Sequence, residues 1–155
     1  MPALSLASCN SSMAEEVWNV VSLFPYETRF ALYASWKSAT TGTTRHLELK
    51  TAIQAVEKKT RGVFQRLCLN NVKTFARSIG KICSTNPLIF FMRMFEKVEN
   101  MRNFIDPIVE SLKYCTALAF DVLNFCIIDS ISNPKKIRRR DTDVFTRCEL
   151  INESL

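Results

Sequence analysis

The side chains most able to do chemistry are six cysteines (Cys9, Cys68, Cys83, Cys115, Cys126, Cys148) and one histidine, His46. A zinc site needs ligands at close, recurring spacings, and no two of these cysteines stand as CxxC. A nucleophilic dyad would have to draw on His46, which lies in a charged helical stretch with no cysteine in a supporting context. Cys68, Cys83, Cys115 and Cys126 fall within apolar helical runs and read as reduced core residues. That usage suits the cytosol or nucleus better than the secretory pathway. Gly42, Gly62 and Gly80 are isolated, so no glycine-rich loop cradles a phosphate. The carboxylates stand at helix surfaces or helix starts. Asp106 and Asp121 occupy positions suited to N-caps, and no pair makes a general acid and base. The residues predict no enzyme, no cofactor, no metal and no small-molecule substrate.

The remaining candidate is electrostatic. The chain carries a net charge of +6, and Lys135, Lys136, Arg138, Arg139 and Arg140 form one dense block. With those five set aside the rest of the chain stands at +1, so attraction to polyanions is expected to reside there. The block reads as a solvated flexible segment, with nuclear import or nucleic-acid contact as the alternatives. A charged helix from about Arg45 to Cys68 reads as a solvated face rather than a nucleic-acid track.

The elements that position these residues are helical. Hydrophobic residues make up 47% of 155, with only three Gly and five Pro, too few turn formers for an all-β fold. The chain is organised around Phe24–Lys37, where Pro25 fits the first position of a helix. Tyr26, Phe30, Tyr33 and Lys37 share one face, with Arg29, Leu32 and Trp36 beside them. Five aromatics in thirteen residues (Phe24 to Trp36) can each bury about 150–250 Å². They read as packing anchors together with Trp18; an exposed platform for bases or a partner is the alternative.

Ser12 and Glu15 form a capping-box pattern ahead of a helix carrying Val17, Val20, Val21 and Phe24. The aromatic helix should end near Lys37, before a polar breaker stretch at 38–44 that marks the clearest joint. Asn70 or Asn71 can cap a helix bearing Val72, Phe75, Ile79 and Ile82. Asn86-Pro87, Asp106-Pro107 and Asn133-Pro134 punctuate the C-terminal half, with Asp121 expected to cap the last core helix. The runs Ile89–Phe91 and Phe125–Ile128 read as helices buried on two sides, not strands. The fold class is therefore all-α: about seven helices packed as antiparallel pairs in an α-solenoid-like segment. Residues 1–11 are expected to be disordered, 12–133 to form the helical segment, and 134–155 a basic, flexible tail. Met1–Met13 lacks the features of a signal peptide, and Tyr114–Ile131 is too short and too polar to span a bilayer, so no membrane partner is expected.

Several pieces resemble the THO complex subunit 2 family. They include Glu15-Glu16-Val17-Trp18, Pro25-Tyr26, Arg29 through Lys37, and Arg66-Leu67 with Asn71-Val72-Lys73. Further along stand Arg77-Ser78-Ile79-Gly80-Lys81, Ser84-Thr85-Asn86-Pro87, Asn103-Phe104-Ile105, Pro107 through Tyr114, and Asp121 through Ile128. The resemblance spans roughly residues 13–134, and Met1–Ser12 and Ile137–Leu155 do not resemble the family's flanks. It implies a non-enzymatic, all-helical scaffold segment of the THO/TREX mRNA export complex in the nucleus, docking through helix faces. Its partners would be other THO/TREX subunits, with RNA (mRNA) through the basic residues as a further expectation. Family members are many times longer, so a fragment, a truncated product or a reduced paralogue is expected. Direct RNA binding through the tail, or a non-functional truncation product, are the alternative readings.

Overall fold

A computed structural model describes residues 4, 6, 11–42 and 47–132. Among them are seven α-helices and no strand: α1 (Ser11–Val21), α2 (Tyr26–Thr41), α3 (Leu47–Phe64), α4 (Val72–Thr85), α5 (Pro87–Asn100), α6 (Ile105–Leu112) and α7 (Ala117–Ser132). Short 3₁₀ turns at Leu69–Asn71 and Arg102–Phe104 lead into α4 and α6. The all-α expectation holds across these residues. The tail expected at 134–155, including Lys135, Lys136, Arg138, Arg139 and Arg140, lies outside them, as do His46, Cys9 and Cys148. So does most of the stretch 1–11; Leu4, which is described, is buried against the core.

The centre is α5. Its sequence is apolar on nearly every side, as a helix surrounded by others must be. Pro87, Leu88, Ile89, Phe90, Phe91, Met94, Phe95 and Val98 are all buried. Helices α2, α3, α4 and α7 pack around it, and α1 closes the bundle against α7 and α4. Phe90 meets Phe64 of α3 and Phe91 edge-on, at 5.1 and 5.3 Å between ring centroids. Phe64 also meets Phe104 at 5.4 Å, so aromatic edges join α3, α5 and the turn before α6. On α4, a Cβ at Gly80 would stand 3.3 Å from the Tyr114 carbonyl oxygen, so the missing side chain lets α4 lie close to the α6–α7 turn.

Proline punctuation holds at Pro87, the first residue of α5. Pro25 stands one position earlier than expected, as the N-cap of α2, where its carbonyl accepts the amides of Thr28 and Arg29, both at 3.1 Å. Asn71 is the residue before α4. Its side chain ties the preceding loop instead of the helix, accepting the Cys68 amide at 2.8 Å and donating to the Arg66 carbonyl at 2.7 Å.

Four expectations need correction. Helix α2 does not stop near Lys37 but continues through the polar run to Thr41. The Ser38, Thr40 and Thr41 hydroxyls turn back onto the carbonyls of Ala34, Trp36 and Lys37, so these residues satisfy themselves inside the helix. Asp106 is not the cap of α6 but lies in its first turn, because the helix begins at Ile105. Asp121 caps nothing: α7 begins at Ala117, and Asp121 is buried in its second turn. Val20 and Phe24, expected inside with Val17 and Val21, are exposed, and Ala14 and Val21 supply the buried side of α1.

Candidate functional site

Because α2 is aromatic and α7 apolar, the two helices meet through rings. Tyr33 and Trp36 are fully buried. Phe125 of α7 meets Phe30 edge-on at 5.7 Å and Tyr33 at 5.8 Å. Of the residues expected as packing anchors, Tyr33 and Trp36 lie in the core of this chain, and Phe30 and Trp18 are partly buried against it. Tyr26 is 60% exposed and touches Phe30 edge-on at 6.0 Å.

A polar cluster sits inside this contact. Arg29 Nη2 donates to Asp121 Oδ1 at 3.1 Å, and the Tyr33 hydroxyl donates to Asp121 Oδ2 at 2.7 Å. Arg29 Nε stands 3.0 Å from Oδ2, close enough to complete the ion pair but off the hydrogen-bonding line. Arg29 Nη1 donates to the Phe24 carbonyl at 3.1 Å, and the guanidinium lies over the Trp18 ring at 5.8 Å. One arginine thus joins α1, the α1–α2 turn and α7. Burial, then the adjacent Asp121 carboxylate, push the Tyr33 phenol well above its ordinary range. Eight residues further along both helices, Lys37 Nζ meets Asp129 Oδ2 at 2.5 Å. The same 92-residue offset at both places means that α2 and α7 run parallel in register.

A second clamp holds α3 to α5. Arg93 reaches Glu57 Oε1 at 2.6 Å and Glu96 Oε2 at 2.7 Å. The thiols of Cys83 and Cys126 are inert by placement. Burial raises the Cys83 thiol well above its ordinary range, helped by Cys115, whose Sγ lies 3.2 Å away. Burial also pushes Cys126 up to about 12. Cys68, expected in the core, is exposed because it falls in the loop after α3. No group of three or more metal-ligating residues occurs among the described residues, and no described helix is long and apolar enough to cross a membrane.

Two parts of the surface are apolar. The α1–α2 corner exposes Val20, Leu23 (82%), Phe24 and Tyr26. Helix α7 exposes Phe120, Ile128 (51%) and Ile131, which with Asn124 fall on one stripe at helical spacing. These residues can bury surface against another protein; they offer no nucleophile or general base.

Two features were missed in the sequence. The Arg29–Tyr33–Asp121 cluster was signalled by an aspartate inside an apolar run and by an arginine and tyrosine four apart. Helix α4 exposes only Lys73, Thr74, Arg77 and Lys81, a one-sided charge hidden by the near-neutral total.

Two family models cover nearly the whole chain. One described as "THO complex subunit 2 N-terminus" matches residues 1–77, and one described as "Transcription- and export-related complex subunit" matches residues 79–148. These matches reach beyond 13–134, so both flanks, expected to fall outside the pattern, largely fall within it. THO complex subunit 2 of Homo sapiens is 39% identical over 143 residues, which is 92% of this chain and 9% of that protein. The proteins of the same name from Arabidopsis thaliana and Saccharomyces cerevisiae are 29% and 27% identical, over 93% and 82% of this chain and 8% of each relative. The chain spans less than a tenth of the length of these relatives. The order of the two models and the human identity lead to one conclusion: this chain belongs to the THO complex subunit 2 family.

Proposed function

We propose that this chain is a non-enzymatic scaffold segment of a THO/TREX-type assembly for mRNA packaging and export, acting in the nucleus by docking helix faces onto other subunits. On this reading the bundle is one unit of a longer α-solenoid-like arrangement. Its partners are other THO subunits and export factors. The observation that carries the reading is the apolar stripe on the outer side of α7, Phe120–Ile128–Ile131, on a helix whose inner side is already committed to the core. Apolar residues gathered on one exposed face mark interaction surfaces, and large side chains at the centre of such faces dominate binding energy. The α1–α2 corner, with Leu23, Phe24 and Tyr26, is a second face of the same kind. Membership in a family named for a complex supports the partner class.

The test is retention of the other THO subunits from nuclear extract on the immobilised chain. Wild type should retain them, a scrambled helical control should not, and Ile128→Asp with Ile131→Asp should lower retention at least ten-fold. Both positions are exposed, so the thermal melt of that variant should match wild type. No retention above the control would count against the proposal.

A further inference from the structure

From Lys58 to Phe95 the chain holds eight lysines and arginines and no aspartate or glutamate. The fold concentrates part of this charge on α4. The exposed residues of that helix are Lys73, Thr74, Arg77 and Lys81, and α4 has no acidic residue anywhere. The three cations are spaced four residues apart, so they climb one face in steps of about 6 Å. Four cations elsewhere in the bundle are paired from within: Arg29 by Asp121, Lys37 by Asp129, Arg93 by Glu57 and Glu96, Lys113 by Glu110. No such ion pair forms with Lys73, Arg77 or Lys81 among the described residues.

We infer that the outer face of α4 binds the phosphate backbone of a nucleic acid. The choice between an acidic protein and a nucleic acid rests on what the face lacks. A protein-docking surface needs apolar anchors at its centre, and α4 exposes none; those lie on α7 and the α1–α2 corner. A phosphate backbone asks only for charge and hydrogen-bond donors at regular intervals, and three cations with the Thr74 hydroxyl supply them. The face is built into the folded bundle, and its residues are not those of the basic block at 135–140. It adds strand contact to the scaffold function: one helix face would hold a transcript while other faces hold protein.

The test uses the full chain with fluorescent twenty-residue oligo-U and oligo-dT, read by anisotropy between 50 and 200 mM salt. The triple variant Lys73→Gln, Arg77→Gln, Lys81→Gln should bind both probes at least ten-fold more weakly. Its log-log salt slope should be shallower by about two, since three cations each account for about 0.7. The loss should appear with the tail intact and also with Lys135, Lys136, Arg138, Arg139 and Arg140 changed to glutamine. Lys73→Arg with Lys81→Arg should bind as wild type, and the single variant Arg77→Gln should show about a third of the triple variant's slope change. An unchanged slope for the triple variant in the tail-neutralised chain would overturn the inference. Tight binding of a polyglutamate of equal charge, matching the oligonucleotides, would overturn it too.

Discussion

Arg29 of α2 and Asp121 of α7 form a part-buried ion pair across 92 residues of chain, and Tyr33 donates to the same carboxylate from one turn further along α2. Removing the carboxylate leaves the buried phenol without its acceptor and the guanidinium with the Phe24 carbonyl alone. Asp121→Ala is therefore expected to destabilise the bundle by about 3 kcal/mol, from the cost of breaking one side of a part-buried pair. Replacing the whole cluster with apolar groups (Arg29→Met, Tyr33→Phe, Asp121→Leu) should cost less than the single change. Urea unfolding midpoints of the two variants decide it; a triple variant less stable than Asp121→Ala would show that the cluster itself contributes net stability.

Alkaline pH should weaken the fold in a defined window. Cys126 is raised from 9.0 to about 12, and Cys83 and Tyr33 are raised as well. In each case the folded state holds its proton more tightly than the unfolded chain. The associated stability is present below the unfolded value and is lost as pH rises through the window towards the folded one. Stability is expected to stay flat to about pH 9 and then fall by up to about 1.4 kcal/mol per unit for each group in its window. Cys126→Ala should flatten the decline between pH 9 and 12, and Tyr33→Phe should flatten it above pH 10. Urea midpoints measured from pH 7 to 11 test both.

Thiol labelling should track burial. At pH 8 iodoacetamide is expected to modify Cys68 at least ten-fold faster than Cys83 or Cys126, because it reacts with an accessible thiolate. The difference should vanish in 8 M urea. Peptide mass spectrometry over a time course reads all three, and early modification of Cys83 in the native chain would contradict the placement of α4 against the α6–α7 turn.

Phe90 is fully buried at the meeting point of α3 and α5. Phe90→Ala should cost about 3–5 kcal/mol, the range for deleting an aromatic from a packed core. Tyr26→Ala, on the exposed corner, should shift stability by less than about 0.5 kcal/mol. A thermal melt of each variant checks the contrast, which separates residues that hold the bundle from residues free to meet a partner.

Much of this architecture was legible in the sequence, because apolar residues recur at helical spacing and Pro87 fixes a boundary wherever the chain packs. The runs at Ile89–Phe91 and Phe125–Ile128 were read as doubly buried helix for the same reason, and all of these residues but Ile128 are buried. What failed was anything set by a partner distant in sequence. Asp121 looked like a cap because its neighbours could not reveal Arg29 and Tyr33 pressing on it from another helix. Ser38–Thr41 looked like a breaker because side-chain bonds back to carbonyls leave no periodic trace. The basic face of α4 was lost in a total, since acids elsewhere in the chain cancel it on paper but not in space. His46 and the block at 135–140 lie outside the described residues.

The parallel register of α2 and α7 has a mechanical consequence. Its two salt links are spaced equally on both rods, about 12 Å apart. Sliding α7 by a single turn would set Arg29 opposite Phe125 and strand both cations at once. The two rods are keyed at two points, so any slip of one along the other breaks both links together.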